Sequence, residues 1–336
     1  MLLAGDLGGT KTNLAIYSTI DALHAPLTEA TYPSGSYDSL EALVSDFLAT
    51  LSQHGIDRAD IRQASFGVAG PVVADQASIT NLPWEMNEQQ LAESLAIPEV
   101  ELINDMVAVD SGVAALDASD VYTLNEGHPV DGGAIVVIAP GTGLGEAYLI
   151  WDGTHYRAFA SEGGHTDFAP TNDREIGLLQ YLLARHEHVS YERVCSGMGI
   201  PNIYAYLKQS GLAEEPAWLT EQLAATKDPT PVIVNTALDT EKSCTLCQQT
   251  LEMFVEILAR EAGNMALNIL STGGVYLGGG IPPRILPVLK NRQFFERFQH
   301  KGRFTRLLNK MPVKVILNPK AALLGAAYHG FTNLQW

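Results

Sequence analysis

The sequence predicts an α/β protein of two domains, and three observations carry that prediction. The chain has 336 residues, more than one hydrophobic core ordinarily organises. Short apolar runs of strand length alternate with segments of helical periodicity. One arrangement then occurs twice: an apolar run, a glycine-threonine turn and a second strand-like stretch. The first copy is Leu2-Leu3-Ala4, then Gly5-Asp6-Leu7-Gly8-Gly9-Thr10, then Asn13 to Tyr17. The second is Ala134 to Ile138, then Ala139-Pro140-Gly141-Thr142-Gly143, then Leu144 to Trp151.

The elements follow in order from the same periodicities. Strands are expected at Leu2–Gly5, Asn13–Tyr17 and Leu27–Tyr32, and an amphipathic helix over Leu40–Gln53. A strand at Ile61–Val68 leads into the turn Ala69-Gly70-Pro71. A helix over Glu88–Ala96, a strand at Val100–Ile103 and a helix beginning near Asn104 complete the first half. From about Ala114 to Gly133 the pattern weakens and turns polar, as a crossover between domains does. The strand pair about Gly141 restarts the order. Helices are expected over Asp173–Arg185, Gly199–Lys208, Thr230–Leu238 and Cys244–Leu270. The last carries Leu246, Leu251, Phe254, Leu258 and Ala262 at helical spacing. A strand at Val275–Leu277 runs into Gly278-Gly279-Gly280 and Ile281-Pro282-Pro283. A strand at Val313–Leu317 and a helix over Lys320–Tyr328 end the chain.

Composition narrows the class. Apolar residues make up 46% of the chain, ample for packed cores, yet no uninterrupted apolar stretch approaches the roughly 20 residues of a membrane span. Asp6 interrupts the N-terminal apolar run at once, so no signal peptide is expected. Three cysteines in this length point to a reducing cytoplasm and not to a disulfide framework. A net charge of −17 argues against nucleic acid as partner, because phosphate backbones are bound by clustered Lys and Arg. It leaves small phosphates open, since backbone N–H groups and Mg²⁺ hold them without many basic side chains.

Both glycine turns suit that purpose, because a nest of N–H groups free of Cβ atoms binds an anion closely. Neither closes with Gly-Lys-Ser/Thr, so neither is a Walker A loop. Gly141, Thr142, Gly143 and Gly145 lead into a strand, not a helix, which excludes the dinucleotide fingerprint. Asp6 has two readings: orientation of Mg²⁺ through water beside a terminal phosphate, or a turn aspartate capping its own loop. Asn104-Asp105 also has two, a general base accepting a hydroxyl proton or a helix N-cap. Ser161-Glu162-Gly163-Gly164-His165-Thr166-Asp167-Phe168 places acceptors and a histidine about two glycines, where vicinal hydroxyls would bind. His165 has no second His or Cys at zinc-ligand spacing. Glu192 alone reads as a solvated carboxylate at a helix start. Cys244 and Cys247 form one C-x-x-C and read as helix residues. Gly279 and Gly280 permit close approach of a flat ring or phosphate to the backbone, or form a plain loop.

Together these residues resemble the bacterial ATP-dependent glucokinases, which have the actin/hexokinase-like (ribonuclease H-like) fold. The matching motifs are Gly5-Asp6-Leu7-Gly8-Gly9-Thr10, Val68-Ala69-Gly70-Pro71-Val72, Ile103-Asn104-Asp105 and Gly141-Thr142-Gly143-Leu144-Gly145. Then come Glu162-Gly163-Gly164-His165-Thr166-Asp167-Phe168-Ala169-Pro170, Tyr191-Glu192-Arg193-Val194, Cys244-Thr245-Leu246-Cys247 and Gly273-Gly274-Val275-Tyr276-Leu277-Gly278-Gly279-Gly280-Ile281. They span nearly the whole chain, and the run from Glu162 to Pro170 is the most specific.

The resemblance implies a duplicated α/β fold with a small domain, 1–113 completed by 318–336, a large domain, 114–317, and a ligand cleft between them. It implies transfer of the γ-phosphate of MgATP to the 6-hydroxyl of D-glucose in a cytoplasmic homodimer. Asp105 would be the base, and Asn104, Asp105, Glu162, His165 and Glu192 would bind sugar. Gly5, Asp6, Leu7, Gly8, Gly9, Thr10, Gly141, Thr142, Gly143, Gly279 and Gly280 would bind nucleotide, with Asp6 orienting Mg²⁺ through water. One feature departs: Lys11-Thr12 after Thr10 is the form of the related ROK sugar kinases, whose cysteine-rich zinc motif this chain lacks. A kinase of another hexose, or one using polyphosphate, would share every loop. A non-catalytic sugar sensor is the rival of a different class, but repressors among the ROK relatives carry an N-terminal helix-turn-helix, and this chain starts on its phosphate strand.

Overall fold

The computed structural model describes residues 1–79, 82–211 and 213–333, so the last three residues of the expected 318–336 segment lie outside the described residues. The chain divides into two compact units. One holds Met1–Asp120, Leu149–Ala160 and Asn318–Trp336; the other holds Val121–Tyr148 and Ser161–Leu317.

The first unit contains β1 (Leu2–Leu7), β2 (Lys11–Tyr17), β3 (Thr28–Pro33), β4 (Gln63–Val68), β5 (Val72–Val73), β6 (Gln76–Ser78), β7 (Glu85–Asn87) and β8 (Glu99–Asn104). Its main sheet has the order β3-β2-β1-β4-β8. β1 is antiparallel to β2 and parallel to β4, which is parallel to β8. β5, β6 and β7 make a small antiparallel sheet that periodicity does not foresee, each strand being only two or three residues long. Successive side chains of β1 point to opposite faces. Leu3 and Leu7 join Leu43, Val44 and Phe47 of the helix Leu40–Thr50. Leu2 and Ala4 join Leu323, Leu324 and Ala327 of the final helix, Ala321–Asn333. Helices cover both faces, and a strand buried twice over has no polar side. Asp6 falls inside β1 and not beyond its end, because pairing with Asn13 of β2 extends the ladder to Leu7 and Thr12.

The second unit's sheet is built from β9 (Val121–Asn125), β10 (Ile135–Pro140), β11 (Leu144–Trp151), β12 (Tyr156–Ser161), β13 (Gly274–Leu277) and β14 (Val313–Ile316). Their order is β12-β11-β10-β13-β14-β9. β10, β13 and β14 are parallel, while β9 lies antiparallel on β14. The order third-second-first-fourth-fifth of the first sheet therefore recurs, with β9 added at the edge. Leu149–Ala160, from the far ends of β11 and β12, group with the first unit. The helix Thr245–Asn268 buries the expected stripe of Leu246, Leu251, Phe254, Leu258 and Ala262 in the core of the second unit. β9 and the helix Ala217–Ala224 carry little apolar periodicity and are not foreseen. Cys244 precedes the helix Thr245–Asn268 and Cys247 lies within it; both are buried free thiols, as is Cys195. Among the described residues no helix is long and apolar enough to cross a membrane.

Candidate active site

In the first unit, β1 and β2 meet in the turn Gly8-Gly9-Thr10. Gly8 N–H donates to the Lys11 carbonyl at 3.0 Å and closes it. A Cβ on Gly8 would crowd that same carbonyl. Ser34, a residue that sequence reasoning missed, staples the turn from β3's end. Its hydroxyl donates to the Gly8 carbonyl at 2.7 Å, and its N–H donates to the Thr10 carbonyl at 3.1 Å. No local pattern announces a partner 24 residues away in the chain. Gly9 and Thr10 are left partly or fully exposed, whereas Gly5 and Leu7 are buried in the sheet and support the turn from below.

Asp6 lies at the base of that turn, where Asn13 Nδ2 donates to its Oδ2 at 3.0 Å. Burial raises its pKa above the usual carboxylate range, against the pull of Asn13 and Lys11. At the end of β8, the N-cap reading of Asn104-Asp105 falls to Asn104. Asn104 is the N-cap of the helix Asp105–Val113, its Oδ1 accepting from Met106 N–H at 2.9 Å. Its Nδ2 donates to the Gly70 carbonyl at 2.9 Å, which ties the cap to the turn after β4. A cap of this kind contributes about 1 kcal/mol to its helix. Asp105 is therefore not needed as the cap, although its Oδ1 also accepts from Met106 N–H at 3.0 Å. Burial raises the Asp105 pKa, and the neighbouring Asp6 adds to the rise. Those two carboxylates thus belong to one electrostatic site within this unit.

In the second unit, β10 and β11 meet in the turn Gly141-Thr142-Gly143, closed by Gly141 N–H on the Gly143 carbonyl at 2.9 Å. Gly197 N–H donates to the Gly141 carbonyl at 2.7 Å, bracing the turn from the segment before the helix Gly199–Gln209. Gly279, after β13, has φ +75°, and a Cβ there would press on the Pro140 carbonyl. Only glycine fits both demands. A cavity of about 640 Å³ opens on Gly141, Thr142 and Gly280. Met198, Pro231 and Val234 supply apolar wall, and Lys227, Asp228 and Arg284 supply charge. Apolar wall beside a glycine turn suits a base and its phosphates. The helix Thr230–Leu238 was foreseen as an element, but nothing in its sequence marks it as cavity wall.

The loop after β12 gathers the remaining residues. Gly163–His165 form a 3-10 turn, held by Gly163 N–H on Ser161 Oγ at 3.0 Å and by Thr166 Oγ1 on the Gly163 carbonyl at 2.7 Å. His165 stands between two carboxylates, with Nε2 3.7 Å from Glu162 Oε2 and Nδ1 4.0 Å from Glu192 Oε1. Glu162 is 93% exposed at its side chain and Glu192 only 22%. Glu192 is not a solvated helix start: its Oε2 accepts from Leu144 N–H at 3.1 Å, just after the 141–143 turn. Glu162, His165 and Glu192 thus come together as an acceptor-rich cluster able to bind hydroxyl groups.

A family model described as glucokinase matches residues 3–332. The glucokinase of Trichormus variabilis is 41% identical, covering 97% of this chain and 98% of the relative. That of Nostoc punctiforme is 42% identical over the same shares. Among solved structures, a glucokinase from an Antarctic psychrotroph superposes with a TM-score of 0.83 at 30% identity, covering 98% of each chain. A ROK family glucokinase from Streptomyces griseus, solved with glucose and AMPPNP, gives 0.60 at 19% identity over 97% of each chain, a likeness of fold.

Proposed function

The chain belongs to the glucokinase family, and on that premise we propose that it transfers the terminal phosphoryl group of ATP to the 6-hydroxyl of D-glucose. Its fold is the actin/hexokinase-like one of that family and of the ROK sugar kinases. The observation that best supports the assignment of roles is the division of labour at the end of β8. Asn104 caps the helix, so Asp105 is not required there, which supports Asp105 as the base.

In this reading Asp105 accepts the proton of the sugar 6-hydroxyl as that oxygen bonds to phosphorus. Asn104, Glu162, His165 and Glu192 bind the other hydroxyls and fix the sugar's orientation, which supplies much of the rate when chemistry asks mainly for positioning. Gly9 and Thr10, with Thr142 and Gly143, present backbone N–H groups to the phosphates; Gly8 and Gly141 close the two turns with their own N–H groups, while Gly5 and Leu7 hold the first turn in the sheet. Gly279 and Gly280 line the approach to the nucleotide. Asp6 suits Mg²⁺: it is a hard oxygen donor with one oxygen engaged by Asn13, and Mg²⁺ keeps most of its waters. When bound, Mg²⁺ neutralises phosphate charge as transfer proceeds. We assign the first unit to the small domain of the family and the second to the large one. A homodimer follows from the family resemblance, and a cytoplasmic setting from three free cysteines.

An activity matrix of phosphoryl donors against hexoses, run on the parent chain and on Asp105→Asn, tests the reading. ATP with glucose is expected to lead the matrix. In Asp105→Asn, kcat should fall by roughly 10²–10⁴-fold while calorimetry finds glucose affinity kept. Polyphosphate or another hexose leading the matrix would overturn the donor or the sugar, and near-normal kcat in the variant would remove Asp105 from its role.

A further inference from the structure

Glu146 is the third residue of β11, which leaves the 141–143 turn, and no role above uses it. It is 3% exposed, and its Oε1 has no hydrogen-bond partner. A Cβ on Gly163 would run into its Oε2, so the carboxyl lies directly under the loop that presents Glu162 and His165. Among the described residues, the groups that face it bring no cation. Tyr148 stands on the same strand, Glu261 on the helix Thr245–Asn268, and the buried Cys195 thiol on the segment after Glu192. Lys301 lies by Glu261, but its ammonium is spent on Asn264 Oδ1 and the Arg260 carbonyl.

We propose that Glu146 is a positioning residue for the sugar loop: as an uncharged acid it fills the space under Gly163 and holds Glu162 and His165 toward the sugar, and as a carboxylate it does not. The proposal rests on the reading of Glu162 and His165 as sugar ligands. Ionisation would place a bare charge under a loop already flanked by the acids Glu162, Glu192 and Glu261. A buried charge without a partner draws in water or moves its neighbours, and the layer that gives way here is the loop. Burial, with Glu261 second, pushes the Glu146 pKa up to about 8, so the change falls within an ordinary assay range.

The test is KM for glucose at pH 7 and pH 9, with ATP saturating, in the parent, Glu146→Gln and Glu162→Ala. A midpoint near 8 leaves about one-eleventh of the chains neutral at pH 9, so the parent's KM should rise about tenfold while kcat changes little. In Glu146→Gln, an uncharged isostere, the ratio should fall to about one. A flat parent profile, or a Gln variant that keeps the alkaline rise, overturns the proposal. The parent alone supplies a second measurement that needs no variant to fold. Glucose binding near pH 8.5, followed by calorimetry in two buffers of different ionisation enthalpy, should take up between about half a proton and one; no uptake overturns the proposal. Glu162→Ala separates the two readings. Unchanged glucose affinity there defeats the sugar-loop assignment itself, whereas weakened affinity beside an unaltered Gln profile defeats only the role of Glu146.

Discussion

Single residues at this site are valued by what surrounds them more than by their own chemistry, and Asp110 is the sharpest example. It sits in the helix that Asp105 opens, is fully buried, and neither carboxylate oxygen has a partner. Burial raises its pKa well above the usual range, and Asp105 adds to the rise. Asp110 is therefore held as a neutral acid, at a cost to stability that grows as pH rises above the unfolded value of about 4. Asp110→Asn keeps the shape and removes the proton requirement. Denaturant unfolding should find the variant more stable by at least ~1 kcal/mol at pH 8, with a smaller gain at pH 5. An equal effect at both pH values would show that Asp110 is ionised in the folded chain. Nothing in the sequence flags this residue, because one aspartate in a short helix reads as surface until tertiary packing buries it.

At the scale of elements, Asp105, the proposed base, opens one helix of a closely packed pair. Backbone meets backbone where Gly112 faces Ala321 and Gly325 faces Ala108, so the helices Asp105–Val113 and Ala321–Asn333 touch without intervening side chains. A Cβ on Gly325 would collide with the Ala108 carbonyl and press on Gly112 N. Gly325→Ala should destabilise the chain by about 1–3 kcal/mol, seen as a lower denaturant midpoint, and kcat should fall with it because Asp105 rides on the displaced helix. An unchanged midpoint would mean that the pair separates freely. Elements of this kind were legible in the sequence where the pattern is strong: the stripe from Leu246 to Ala262 falls where periodicity puts it, and the apolar run that opens the chain forms a strand that continues past the expected Gly5 to Leu7. The helix Arg292–Gln299 was overlooked although Phe294 and Phe298, four residues apart, are both buried. The five-residue strand β9 is too short to give such a signal. Within the site, the Glu162–His165 loop was legible because its chemistry is nearly contiguous. Ser34 under the first turn, Glu192 on Leu144 and Glu146 under Gly163 were not, since each acts on a residue brought near only by tertiary pairing.

For the whole molecule, the same buried acids set how stability varies with pH. Exposed carboxylates that accept several hydrogen bonds are held low: Asp152 by Arg157 and nearby N–H groups, Asp117 by Ser119, Asp239 by Lys242 and Glu241 N–H groups. Their contribution is present above the unfolded pKa of about 4 and is lost as pH falls below it, which gives an acid limb. Asp6, Asp105, Asp110, Glu146 and Glu261 are displaced upward, burial being the first cause in each. Above pH 4 an unfolded chain has released protons that the folded chain still holds at these positions, so stability declines as pH rises. Glu146 continues that decline to about pH 8. Each proton so retained steepens the slope by about 1.4 kcal/mol per pH unit. The net charge of −17 acts in the same direction, since self-repulsion in the compact state grows as the last acids ionise. Calorimetric scans should therefore find Tm falling by several degrees between pH 6 and pH 8, with a shallower fall in Glu146→Gln and in Asp110→Asn. A Tm that is level or rising over that interval would mean that the buried acids are ionised in the folded chain, and the neutral floor under Gly163 would fail with them.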